Sequence, residues 1–262
     1  MQFNNIVANS ALASQRTNEF LFTINYQDYI IMPKSVSLSK CSIPNTMLSF
    51  RATQLSIFLT WLNATYEVVI QNGYYDDMAE FIPMLNNAIQ ETVSSEFTFS
   101  YDTAHECLKL TNTSNHPFTI LPYSYSPRSC VKRLGFNENF GYASYSEGDN
   151  QVVYATGLCR LTRTTGFFLV SNLVSSCNYT ASPNNVNNII DYIPIELSNL
   201  AYGDSIVVIN SNIPQNRVTL SQNESYNATS SFTFQILDDE FQTIDEPDKG
   251  ANTILFLNLD YD

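Results

Sequence analysis

The stretch from Ala64 to Glu91 constrains the fold more than any other part of this 262-residue chain. It opens with a strand-like Ala64-Thr65-Tyr66-Glu67-Val68-Val69-Ile70 and turns at Gln71-Asn72-Gly73-Tyr74-Tyr75. It then enters a series of Met78, Phe81, Ile82, Leu85 and Ile89. Those five residues recur at the three- and four-residue spacing of one buried stripe, which predicts a helix over about 76–92. Asp76 or Asp77 is placed to accept from its unpaired N–H groups, and an acid there also suits the helix dipole. Pro83 removes a backbone donor and crowds the preceding turn, so the helix is expected to kink there or to become regular only near Ile82. This is the one segment with a convincing helical period. The helix is expected to lie across a sheet or to close one end of a sandwich.

Everything else of core character alternates β-branched and aromatic residues over short runs. Strands are expected near 20–24, 36–43, 54–61, 66–70, 96–101, 106–111, 118–121, 167–170, 189–195, 205–209, 232–237 and 253–259. In the second of these, Val36, Leu38 and Lys40 fall on one face by period 2. The runs at 54–61 and 66–70 read as a hairpin across Leu62-Asn63-Ala64. Residues 1–18 are small and polar with little periodicity and read as an arm preceding the folded body. Residues 122–157, rich in Tyr, Ser and Gly, read as a long loop excursion in which Leu134-Gly135-Phe136 is a local anchor. Many strands at sandwich-like intervals, without alternating helices or a solenoid or propeller repeat, predict an all-β fold. The expected architecture is an antiparallel single jelly-roll sandwich with one embedded α-helix, forming a single domain over 19–262.

The net charge of −13 argues against a broad basic face for gripping nucleic acid, which needs clustered Lys and Arg. From Asn223 onward stand nine acids, Glu224, Asp238, Asp239, Glu240, Asp245, Glu246, Asp248, Asp260 and Asp262, against Lys249. They read first as solvated turns and a charged terminus, and second as a cation site or a surface for an electropositive partner. Cys41, Cys107, Cys130, Cys159 and Cys177 are odd in number and lack a Cys-x-x-Cys pair, so reduced thiols of a cytosolic compartment are expected. No signal peptide, lipid anchor or apolar run of membrane-spanning length is evident, so no membrane insertion is expected. Five Asn-x-Ser/Thr triplets among 29 Asn match chance and imply no glycosylation.

Signatures of catalysis are missing. His105 and His116 sit eleven apart on different segments and read as a turn and a loop residue, not metal ligands. No nucleophile elbow, phosphate-cradling glycine loop or zinc-binding helix motif is present. Asp76/Asp77 and Asp238/Asp239 are adjacent pairs, and neighbours on a strand point to opposite faces, so neither reads as a glycosidase dyad. No catalytic, cofactor or metal site is assigned, and subunit-interface residues are left unassigned. Two sets are singled out in the excursion. Tyr123, Tyr125, Tyr142 and Tyr145 read as loop packing or as a surface that stacks on sugars or a neighbouring subunit. Arg128, Lys132 and Arg133 read as a solvated loop face or a contact for acids or packaged nucleic acid.

With these segments in view, the chain resembles the single jelly-roll minor capsid or penton proteins of virophages, polinton-like viruses and large eukaryotic DNA viruses. Pro33 to Thr46 looks like that family's first framework strand and its Ile-Pro turn. Gly73-Tyr74-Tyr75 leading to Leu85-Asn86-Asn87-Ala88-Ile89 looks like its Gly-Tyr-helix-Leu-Asn element. Leu134-Gly135-Phe136, Phe168 to Leu173, Ile189 to Ile195 and Phe234 to Glu240 are similar to its anchor and later strands. The resemblance implies a structural role with no catalytic residues and no cofactor. It implies a homopentameric penton at icosahedral vertices, in contact with major capsid protein neighbours, made in the host cytoplasm and resident in the virion. Sequence-specific nucleic-acid binding is not implied. The rival readings are a receptor- or carbohydrate-binding head of a viral spike and a hydrolytic sandwich enzyme.

Overall fold

The segment 36–43 carries the alternation of a half-buried strand, but its buried residues change parity midway. Val36 and Leu38 are buried, and so are Cys41 and Ile43. In the computed structural model this is a β-bulge: Leu38 stands opposite Leu257 and Lys40 opposite Phe256, leaving Ser39 as the extra residue. The Ser39 hydroxyl donates to the Phe256 carbonyl at 2.9 Å. A bulge moves the following side chains to the other face, so Lys40, expected to share a face with Val36 and Leu38, is exposed instead.

The structure describes residues 5–25, 35–51, 53–162, 164–173, 188–195, 202–209, 218–219, 231–244 and 248–260. The chain opens with β1 (Asn5–Asn9), β2 (Gln15–Asn18), β3 (Leu21–Asn25) and β4 (Ser35–Pro44). Next come β5 (Ser56–Trp61), β6 (Ala64–Val69), α1 (Met78–Thr92), β7 (Phe97–Asp102) and β8 (Cys107–Asn112). β9 (Phe118–Ile120), β10 (Tyr142–Ala143), β11 (Tyr145–Glu147) and β12 (Asn150–Tyr154) follow. It closes with β13 (Gly166–Ser171), β14 (Ile189–Pro194), β15 (Ser205–Ile209), β16 (Val218–Thr219), β17 (Ser231–Leu237) and β18 (Ile254–Asp260). Two compact units result, Met1–Met47 with Thr164–Asp262, and Leu48–Arg163 between them in sequence. The single domain over 19–262 that the strand pattern predicts thus divides into two units.

In the first unit one sheet runs β1-β18-β4-β15, with β16 also on β4, and the other runs β14-β13-β17-β3-β2. Apart from β2 and β16, the strands pair outermost to innermost: β1 with β18, β3 with β17, β4 with β15 and β13 with β14, all antiparallel. That is one long eight-stranded hairpin folded so that successive pairs fall alternately in the two sheets, the order of a jelly roll. The inner faces share one core. Ile6, Val36, Leu38, Cys41, Ile43, Leu255 and Leu257 come from the first sheet, and Phe22, Ile24, Phe167, Leu169, Phe232, Phe234 and Ile236 from the second. Phe22 and Phe234 are direct cross-strand partners with ring centroids 5.7 Å apart.

Residues 1–18 differ from expectation. Five residues of β1 pair with β18, and Ile6 and Ala8 point into the core while Val7 points out. β2 forms a hairpin with β3. Arg16 then ties β2 to the segment before β18, donating to Asp248 Oδ1 at 2.6 Å, the Ala251 carbonyl at 2.5 Å and Asn252 Oδ1 at 3.0 Å. The described part of this segment is framework of the jelly roll, and a free arm was the wrong expectation for it.

The second unit has two four-stranded sheets, β10-β9-β5-β6 and β11-β12-β8-β7. β5 and β6 form the expected hairpin, and its turn is only Leu62-Asn63, both at positive φ (48° and 64°). Helix α1 is capped by Asp77, whose carboxylate accepts from the Glu80 N–H at 2.9 Å. Phe81, Leu85 and Ile89 form its buried stripe. Pro83 sits on the exposed side of a helix that runs unbroken from Met78. The helix lies along a sheet edge: Asn86 accepts from the Phe99 N–H at 2.6 Å and donates to its carbonyl at 3.1 Å, and Gln90 donates to the Phe97 carbonyl at 3.1 Å. Side chains four apart on one helix face thereby satisfy backbone groups of the edge strand β7. Residues 122–157 are not a loop excursion, since they supply β10, β11 and β12, and Leu134 and Phe136 are buried in the unit's core.

Candidate functional site

The residues singled out in the sequence do not converge on one site. The four tyrosines disperse. Tyr142 is buried, with its hydroxyl 2.7 Å from Thr156 Oγ1 and its ring 5.1 Å from that of Phe136. Tyr125 packs on Phe58 at 5.2 Å, and the Lys132 ammonium lies 5.5 Å from the Tyr123 ring. Tyr145 borders the cleft described below. The basic set is engaged within the chain. Arg128 pairs with Glu67 at 2.8 Å, and Arg133 donates to the Thr162 carbonyl at 2.6 Å with its guanidinium 5.6 Å from the Phe50 ring.

The acidic segment does structural work. Asp238 is fully buried, and its Oδ1 accepts from the N–H groups of Glu240 and Gln242 at 3.1 and 2.9 Å. Asp239 accepts from the Thr165 N–H and hydroxyl at 3.0 and 2.7 Å. Asp248 pairs with Arg16, whose hydrogen bond holds its carboxyl below the usual carboxylate range. Glu224, Asp245, Glu246 and Asp262 lie outside the described residues. Among the described residues no three His, Cys, Asp or Glu side chains group as a metal would require. Cys41, Cys107 and Cys130 are buried free thiols and Cys159 is half-buried. Burial pushes Cys41 up to about 11 and Cys130 and Cys159 up to about 12, so they stay protonated and unreactive. Cys177 lies outside the described residues. No described helix is long and apolar enough to cross a membrane.

Two surface features stand out. The first is the outer face of the β1-β18-β4-β15 sheet. Val7 stands opposite Phe256, Phe256 opposite Lys40, and Lys40 opposite Ile209, with Val207 opposite Ser42 alongside. Val7, Val207 and Ile209 are about half exposed or more. The face of a sheet that should be polar therefore carries a row of apolar side chains interrupted by one lysine.

The second is a cleft of about 490 Å³ in the second unit, bordered by the turn His105–Cys107, by Tyr145, Glu147 and Tyr154, and by the segment 155–158. Tyr145 and Glu147 are two apart on β11 and so share a face. Tyr145 is opposite Val152 and Tyr154 is opposite Lys109, which brings all four polar or aromatic side chains to one side of the sheet. The Tyr145 and Tyr154 rings are nearly parallel, with centroids 6.4 Å apart. Lys109 bonds to Glu147 Oε2 and lies 4.9 Å from the Tyr154 ring centroid. The Tyr154 hydroxyl donates to Glu147 Oε1 at 3.3 Å. This bonding to Lys109 lowers the Glu147 carboxyl below its usual range and raises the ammonium. His105 Nδ1 is 2.9 Å from Asp102 Oδ2, which lowers that carboxyl, and its ring meets Tyr154 edge-on at 5.7 Å. His116 belongs to a separate turn, its carbonyl accepting from Asn112. Sequence reasoning found Tyr145 but missed Glu147, Tyr154 and Lys109, because only the β11-β12-β8 register brings them together.

No protein-family model matches the chain, and no curated protein matches it. Among solved structures, the crystal structure of the mavirus penton protein is similar with a TM-score of 0.52 at 13% identity, over 97% of this chain and 98% of that one. A chain of the Sputnik virophage structure aligns over 97% of both chains at 14% identity, with a TM-score of 0.45. The likeness to the mavirus protein is one of fold, and it spans both units.

Proposed function

We propose that this chain is a structural viral capsid protein, a penton whose five copies close a vertex of an icosahedral shell. The observation that carries the reading is the eight-stranded jelly-roll order together with end-to-end similarity to a penton protein. The apolar outer face of the β1-β18-β4-β15 sheet fits the role, because a subunit in a ring or beside a major capsid protein keeps such a face covered. Function on this reading is shape: rigid antiparallel strands hold edges and loops in register, and closure repeats one head-to-tail contact between two complementary patches five times. The protein is then made in the host cytoplasm and resides in the virion, without catalysis or a cofactor.

Negative-stain imaging and sedimentation of the purified chain test this directly. Five-fold rings of five times the 29.6 kDa chain mass are expected. Monomers throughout a concentration and salt series, or trimers, would refute the vertex reading. Val207→Asp with Ile209→Asp places charge on the apolar face and is expected to weaken ring formation while leaving the melt unchanged.

A further inference from the structure

We propose that the cleft beside β11 is a binding site for neutral saccharides. Its volume of about 490 Å³ lies within the ~300–1,000 Å³ of small-ligand pockets. Its floor offers what a pyranose needs. A sugar presents a face of C–H groups and a rim of hydroxyls, so it takes an exposed aromatic ring for the face and charged acceptors for the rim. Tyr145 is 54% exposed although it stands next to Tyr154 on the sheet, and Leu158, 61% exposed, extends the apolar border. Glu147 supplies the acceptor. A carboxylate has about four lone-pair sites, and Lys109 and Tyr154 use one on each oxygen, so capacity remains for sugar hydroxyls.

Charge selects within the saccharide class. Glu106 and Glu147 line the cleft with no Lys or Arg among the lining residues, His105 at its border is paired with Asp102, and Lys109 beside it is committed to Glu147 and Tyr154. Sialylated or sulfated glycans would meet carboxylates with no Lys or Arg among the lining residues to receive them. Neutral sugars meet no such barrier. The inference stands on the second unit alone, whether or not the chain closes a five-fold ring.

The test is the purified full chain on a printed array of neutral, sialylated and sulfated glycans, followed by saturation-transfer NMR titration of the strongest neutral ligand. Retention of neutral glycans is expected, weakened about tenfold by Tyr145→Ala and kept by Tyr145→Phe. Glu147→Gln should also weaken it. Tyr125→Ala, equally exposed but packed on Phe58, should leave it unchanged. Thermal melts of each variant and sedimentation of Tyr145→Ala are expected to match wild type, which separates loss of the site from loss of fold or assembly. Retention of anionic glycans only, of none, or equal retention by Tyr145→Ala would overturn the proposal.

Discussion

Substituting Ile6 by Ala distinguishes a framework strand from a trailing arm. Ile6 is 3% exposed and its neighbour Val7 is 49% exposed, although both belong to the same five-residue strand. Removing a buried isoleucine to the β-carbon costs about 2–5 kcal/mol, depending on how far the surroundings collapse. β1 lies at the edge of its sheet, where relaxation is easy, so a value of about 3 kcal/mol is expected. For a domain of ~150–250 residues each kcal/mol shifts the melting midpoint by about 2–4 °C, giving a drop of about 6–12 °C. Val7→Ala should shift it by less than about 2 °C, because exposed positions change stability within ~0.5 kcal/mol. The effect also has a ceiling. Once β1 undocks, further damage to it is without consequence, so Ile6→Ala with Ala8→Asp should cost no more than deleting residues 1–9. Circular-dichroism melts of the four variants decide the matter. Equal, small shifts for Ile6→Ala and Val7→Ala, with a deletion that melts like wild type, would refute the pairing of β1 with β18 and restore the arm.

Asn86→Leu should destabilise the second unit by about 1–3 kcal/mol in denaturant titration, because the Phe99 N–H and carbonyl at the β7 edge lose their partner. Leu62→Asn should stabilise it by about 1 kcal/mol in the same assay, since Leu62 is exposed at φ 48° and a two-residue turn with both residues left-handed suits Asn. Asp248 has its carboxyl lowered by Arg16 in the folded state, so the pair stabilises above the unfolded carboxylate value near ~3.9 and is lost as pH falls through the lower folded value. The melting gap between wild type and Arg16→Ala should accordingly be wider at pH 7 than at pH 2, and a gap independent of pH would refute the assignment.

Much of the fold was legible because its signals were local. The helix stripe at Phe81, Leu85 and Ile89, its Asp77 cap and most of the long strands follow from spacing alone. What escaped was short or set by a distant partner. β1 does alternate, Ile6 and Ala8 in and Val7 out, but five residues with one large apolar side chain give too little pattern. β10 and β11 are two and three residues long, and in β12 Val152 and Val153 are both buried, so alternation is missing where the strand is clearest. The side Lys40 faces depended on the Ser39 bulge, whose existence is fixed by β18 more than two hundred residues later. The cleft was half legible for the same reason. Tyr145 was visible as an aromatic residue in a polar stretch, but its partners Tyr154, Glu147 and Lys109 belong to three strands whose register no local pattern reveals.

The two-unit division was invisible for a different physical reason. In a jelly roll built as one folded hairpin, β4 pairs with β15 and β13 with β14, so the connection from β4 to β13 fixes no pairing of its own. Lengthening a connection raises loop-closure entropy only logarithmically, about 0.6 kcal/mol per doubling. A segment with its own core, here Phe50, Phe81, Phe97 and Phe118 among others, can therefore occupy that connection without disturbing the register on either side. Both units draw on the same alternating β vocabulary, so no change of composition and no Gly- or Pro-rich linker marks Met47 or Thr164. The inserted unit can accordingly carry a surface such as the Tyr145 cleft on its own core, without a change in how the jelly-roll strands pair.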